Sequence, residues 1–150
     1  MLRDKINDAY KTAMLNRDAT RVAAMRLIMA KLKDQDINAR TKGVTAIPDA
    51  EIVQMLQGMV KQRRESVELY QKGGRQDLVQ TEQAEIAVIE EFLPQQMDDA
   101  ALKSAIAAAI AQTGATSIKE MGKVMAAMKS AHAGQFDAGR AGAIIKEMLG

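Results

Sequence analysis

Few residues in this sequence have the chemistry to make or break bonds, and none stands in a spacing that lets it. There is one histidine, His132, and no cysteine, which excludes a thiolate nucleophile and a multi-histidine metal site. His132 falls in a loop beside Gly134 and reads as a plain surface residue. Gly122-Lys123 looks like the end of a phosphate loop, whose backbone N–H groups cradle phosphate ahead of a lysine. That motif requires glycine at position 117 and Ser or Thr at position 124, where Ser117 and Val124 stand instead. Glu82, Glu85 and Glu90 offer carboxylates for a cation, but di-iron sites in helical bundles need Glu-x-x-His pairs that are missing. The glutamates therefore read as a solvated acidic face. An amidase would need an activated serine with an oxyanion hole. Ser66, Ser104, Ser117 and Ser130 are scattered through helices and caps instead. No catalytic residue, metal or cofactor is expected.

Charge says more about binding. A net charge of +2 hides an uneven layout, with seven acids and no base between residues 76 and 100. Residues 1–75 carry 15 Lys/Arg against 9 Asp/Glu, and residues 101–150 carry 6 against 3. Two mildly basic regions flank an acidic one, which is compatible with a polyanion partner but weaker than the basic stripe of a strong nucleic-acid binder. Aromatic residues are 3% of the chain, so nucleic acid would be met at its phosphates and by its shape rather than by base stacking.

Such residues must be held by helices. The core is aliphatic, drawn from Ala, Leu, Ile, Val and 11 Met, and residues that favour helix outnumber those that favour strands. A first helix is expected over 2–15, with Leu2, Ile6, Ala9 and Ala13 on one face. Asp18 caps a second, running to about 39 with Val22, Met25, Ile28 or Met29, and Leu32 inward. Residues 41–47 form a loop, and Pro48 sits in the first turn of a third helix to about 72, followed by Asp49 and Glu51 near the positive end of the helix dipole.

Val53, Leu56, Val60, Arg63, Val67 and Tyr70 form a seam at coiled-coil-like spacing. Lys61/Glu65, Arg64/Glu68 and Glu68/Lys72 are pairs four apart on a solvated side. Gly73-Gly74 then turns the chain into a fourth helix, 76–92, burying Val79, Ile86, Ile89 and Leu93. Pro94, in LPQQM, marks a joint. Three shorter helices follow. Asp98 caps one over 99–112 that ends at Gly114, with Leu102, Ile106 and Ile110 inward. Ser117 and Glu120 form a capping box before Met121, Val124, Met125 and Met128, and Asp137 precedes a last helix with Ile144, Ile145, Met148 and Leu149. Methionines at this spacing read as core filler.

The stretch KQRRESVELYQKGGRQDLVQTEQAEIAVIEEFLPQQM, followed by MGKVMAAMK and a glycine-containing last helix, closely resembles the YqeY-like family over essentially the whole chain. That family is similar to the tail of the B subunit of the tRNA-dependent amidotransferases, the GatB tail. The resemblance implies an all-α fold: a helical bundle with a long antiparallel helix hairpin, residues 1–94, then a three-helix, ubiquitin-associated-like module, residues 95–150. It also implies a non-catalytic accessory role that grips the tRNA backbone near the elbow, with an amidotransferase or another protein as a further partner.

Gly122-Lys123-Val124-Met125 matches the family's GKVM motif, and Lys129 sits where members usually keep a base. The short KGRADG-like loop of many relatives reads AHAGQFDAG here, with its arginine at Arg140, after the turn. Lys123, Lys129 and Arg140 are therefore the expected tRNA-facing set, with Arg63 and Arg64 as auxiliary phosphate contacts. Lys123 and Lys129 are six residues apart, about 240° around a helix, so they do not share a face. The alternative is a protein-interaction adaptor with no nucleic-acid partner, whose module or Met-rich helix receives an apolar segment. No apolar run spans a bilayer and MLRDKINDAY has no apolar signal region. With the lack of cysteine, this makes a cytoplasmic location the expectation.

Overall fold

Every regular element is helical in the computed structural model, which describes residues 1–150: seven α-helices, one short 3-10 turn and no strand. The chain divides into two compact units, Met1–Leu93 and Pro94–Gly150.

The first unit holds α1 (Leu2–Leu15), α2 (Ala19–Arg40), α3 (Asp49–Lys72) and α4 (Gln76–Glu90). Asp18 starts α2 by accepting the Arg21 N–H at 3.2 Å, satisfying a donor the helix leaves open. Before it, Arg17 takes a left-handed φ of 53° to turn the chain out of α1, the one non-glycine residue to do so. Ile6, Met25, Ile28, Ile52, Leu56 and Ile89 are fully buried and form one core. Each such side chain removed from water contributes about 1.5–3 kcal/mol.

Pro48 lies just before α3 rather than in its first turn. Its ψ of 166° is extended, and helical geometry begins at Asp49. The seam of α3 is also wider at its start than a three-four pattern predicts. Ile52, Met55 and Met59 are buried beside Leu56 and Val60, while Val67 and Tyr70 are only half-buried. The chain reverses at Gly73-Gly74, with Gly74 at φ +71°, and α4 packs back along α3. Arg64 does not pair with Glu68 on its own helix; it reaches Glu90 of α4 at 2.9 Å. Helix α4 ends at Glu90, two residues early, and Val88 and Phe92 join Val79 and Ile89 in the interior.

The second unit holds α5 (Asp99–Thr113), the 3-10 turn (Ile118–Glu120), α6 (Met121–Ala131) and α7 (Ala138–Leu149). Asp98 accepts the Ala101 N–H at 2.7 Å and Asp137 accepts the Arg140 N–H at 2.9 Å, one cap for each flanking helix. Gly114, at φ +69°, closes α5 by donating to the Ile110 carbonyl. Leu102, Ile106, Val124, Met128, Ala141 and Ile145 fill the core, with Met121 and Met125 packed against it.

The Ser117–Glu120 capping box is only half formed. The Glu120 carboxylate accepts the Thr116 N–H at 2.6 Å, whereas the Ser117 side chain makes no capping bond and a 3-10 turn intervenes before α6. That bond holds the Glu120 carboxyl below its usual range. Between α6 and α7, Phe136 is buried and anchors the loop to the core. Around it, Met97 donates its N–H to the Gln135 carbonyl and the Gln96 amide donates to the Pro94 and Gly134 carbonyls.

Candidate nucleic-acid interface

The five cations singled out in the sequence meet two different fates. Lys123 and Lys129 stand exposed on α6 and form no ion pair. Lys123 is near enough to Glu120 to help lower its pKa, as the smaller contribution after the backbone bonds. Lys129 lies in the last turn of α6, where a cation also favours the negative end of the helix dipole. Six residues separate the two lysines, so they point to different sides of the helix.

Arg140, in the first turn of α7, is ion-paired with Asp99 of α5; both side chains are mostly exposed. A phosphate at Arg140 must therefore compete with a carboxylate already in place.

Arg63 and Arg64 are structural partners of the acidic helix. Arg63 Nε lies 2.9 Å from Glu85 and 4.0 Å from Glu82, with all three side chains largely covered: 13%, 17% and 21% exposed. One guanidinium thus faces two carboxylates in a shielded place. Burial, and then the neighbouring Glu85, push the Glu82 carboxyl above its usual value. Glu82, Glu85 and Glu90 are not a solvated acidic face, because each is tied to an arginine of α3. No three His, Asp or Glu side chains are grouped to hold a metal ion. His132 places Nδ1 at 3.3 Å from the Gln135 amide oxygen, inside the loop that Phe136 anchors.

One open groove, about 450 Å³, runs between α2 and α3 and is lined by Lys31, Gln35, Glu51, Gln54, Met59 and Gln62, among others. It is rich in amides and its lining includes no serine, threonine or histidine. What the sequence reading missed lies on α2. Six of nine arginines are ion-paired, but Arg26 and Arg40 of α2 and Arg17 just before it are not. The seven-residue spacing of Arg26, Lys33 and Arg40 was the available signal, and regional charge totals average it away.

Two curated relatives match part of this sequence. One is the protein named "Altered inheritance of mitochondria protein 41, mitochondrial" from Eremothecium gossypii, 37% identical over 83 residues, covering 55% of this chain and 44% of the relative. Its namesake from Lachancea thermotolerans is 29% identical over 85 residues, covering 57% and 44%. The matched segment thus spans less than half the length of either relative. Both names carry the word mitochondrial, which overturns the cytoplasmic location expected from composition. Cysteine usage reports redox chemistry and hydropathy reports membrane crossing, and neither encodes which compartment a protein occupies. No helix is long and apolar enough to cross a membrane. The family described as Yqey-like protein matches residues 3–149, nearly the full length, and the chain belongs to that family.

Proposed function

We propose that this protein is a non-catalytic, tRNA-binding accessory protein that assists a tRNA-dependent amidotransferase, in a mitochondrial setting of the kind its relatives' names indicate. In this reading the first unit is a helical bundle built on the α3–α4 hairpin. The second is a ubiquitin-associated-like module that presents cations to the tRNA backbone near the elbow. The observation that carries it is the exposed, unpaired state of Lys123 and Lys129 on the helix bearing the GKVM motif. A scarcity of aromatics favours contact with phosphate and shape over base recognition. Few contacts imply modest affinity that falls steeply with salt.

The test is binding of purified total tRNA at low and moderate salt, beside Lys123→Glu/Lys129→Glu. Saturable binding that weakens with salt and is lost in the double variant supports the reading. No binding by the wild-type chain at low salt rejects it. A second reading, a protein-interaction adaptor, draws on Ile118 and Met148, which are 47% and 46% exposed in the same unit. Apolar docking would hold or strengthen as salt rises, the opposite of the tRNA response.

A further inference from the structure

Arginine pairing singles out one helix. Arg3, Arg21, Arg63, Arg64, Arg75 and Arg140 each lie against a carboxylate. The remaining three, Arg17, Arg26 and Arg40, all fall on α2 or the turn that enters it. Within α2, Arg26, Lys33 and Arg40 recur every seven residues. Seven residues turn about 700°, so the three cations stay within roughly 40° of one another while climbing about 21 Å. All three are exposed, as are Ala30 and Ile37 between them.

No carboxylate stands on this line. Asp34 is displaced by about 80–120° from the three cations, to one side. Asp36, on the other side, is near enough to feel Arg40 but is held by both guanidinium nitrogens of Arg3. Arg26 donates its Nε–H to the Tyr10 hydroxyl at 3.4 Å, which steadies the side chain without neutralising it.

The chemistry that fits is a repeating anion on a stiff frame. A bilayer surface asks for a broad apolar face beside the cations, and here one alanine, Ala30, and one isoleucine, Ile37, stand between them, with Leu27 exposed to one side. A helix lying flat, with cations about 10 Å apart and an alanine allowing close approach, matches phosphates flanking the wide, shallow minor groove of A-form RNA. We propose that Arg26, Lys33 and Arg40 form a phosphate-gripping stripe on the outward face of α2 that takes the backbone of folded RNA. The proposal rests on the tRNA reading above and places a principal contact in the first unit, on residues outside the module.

The test compares three full-length proteins binding purified total tRNA across a salt series. One is wild type, and one is Arg26→Gln/Lys33→Gln/Arg40→Gln. The third is Lys5→Gln/Lys61→Gln/Lys72→Gln, which removes the same charge from exposed positions of the same unit off the stripe. Glutamine keeps helix propensity, and matched circular dichroism and melting confirm that each is folded. The stripe variant is expected to bind roughly 10- to 100-fold more weakly, with its log–log salt slope shallower by two to three, while the control stays within about threefold of wild type. Equal losses in both variants, or no loss in the stripe variant, overturn the stripe while the tRNA reading stands. Absence of binding by wild type overturns both, as does capture by anionic vesicles with no tRNA binding.

Discussion

Arg3 and Asp36 form a two-pronged ion pair, 2.6 and 2.9 Å, that locks α1 to α2, and both also hold the backbone of Ile47. Asp36 accepts the Ile47 N–H at 2.9 Å and Arg3 donates to the Ile47 carbonyl at 3.2 Å, so one pair fixes the loop that delivers α3. The Arg3 hydrogen bond keeps the Asp36 carboxyl below its usual value despite partial burial. A depressed folded pKa contributes stability above the unfolded value, and that stability is lost as pH falls through the folded one. Asp36→Ala is expected to cost about 2 kcal/mol at neutral pH. In urea titrations from pH 7 downward, the gap to wild type should shrink on the acid side; a constant gap would show that the charge is irrelevant.

Glu82 has the opposite sign. Burial and Glu85 raise its pKa from the ordinary 4.5, so its protonated form suits the fold. Its contribution is present below the ordinary value and disappears as pH rises through the raised one. Glu82→Gln should therefore be neutral or slightly stabilising at pH 7. Arg63→Ala, which leaves two shielded carboxylates without a cation, should cost about 2 kcal/mol there and less in acid. A Glu82→Gln variant that loses as much as Arg63→Ala would refute this asymmetry.

Helices and their aspartate caps were readable because they depend on neighbours in sequence, whereas the Ser117 cap expected on the same grounds does not form. Asp18, Asp98 and Asp137 each bond a backbone N–H three residues on, and Gly114 adopts the left-handed turn its position demands. Choices made across the fold were not readable. Arg64 has Glu68 one turn away but takes Glu90, because packing of α4 on α3 brings that carboxylate closer. Glu82 and Glu85 look solvated in sequence, yet the same packing covers them. The α2 stripe escaped for another reason. Regional charge totals mix Arg26, Lys33 and Arg40 with arginines already neutralised by partners, and pairing is visible only in three dimensions.

Phe136 had no periodic signal, being one aromatic in a loop of small residues, yet it is among the buried side chains of the second unit. A unit of under 60 residues has little core to spare. Phe136→Ala should cost about 3–4 kcal/mol, enough to unfold Pro94–Gly150 or leave it barely stable. Hydrogen exchange would read this as lost protection in α5, α6 and α7 with α1–α4 unchanged. Loss of protection in α1–α4 as well would show that the units do not unfold independently.

Asp99 is the internal competitor for Arg140. The pair is exposed, so breaking it should leave stability within about 1 kcal/mol of wild type. If Arg140 meets tRNA phosphate, Asp99→Asn releases it from a carboxylate and removes a nearby negative charge. Affinity for total tRNA should then rise about three- to tenfold at low salt, with a slope steeper by roughly one contact. Arg140→Gln added to Asp99→Asn should cancel most of that gain, because the mechanism acts through the freed guanidinium. A gain that survives the second change would assign the effect to general charge and remove Arg140 from the interface.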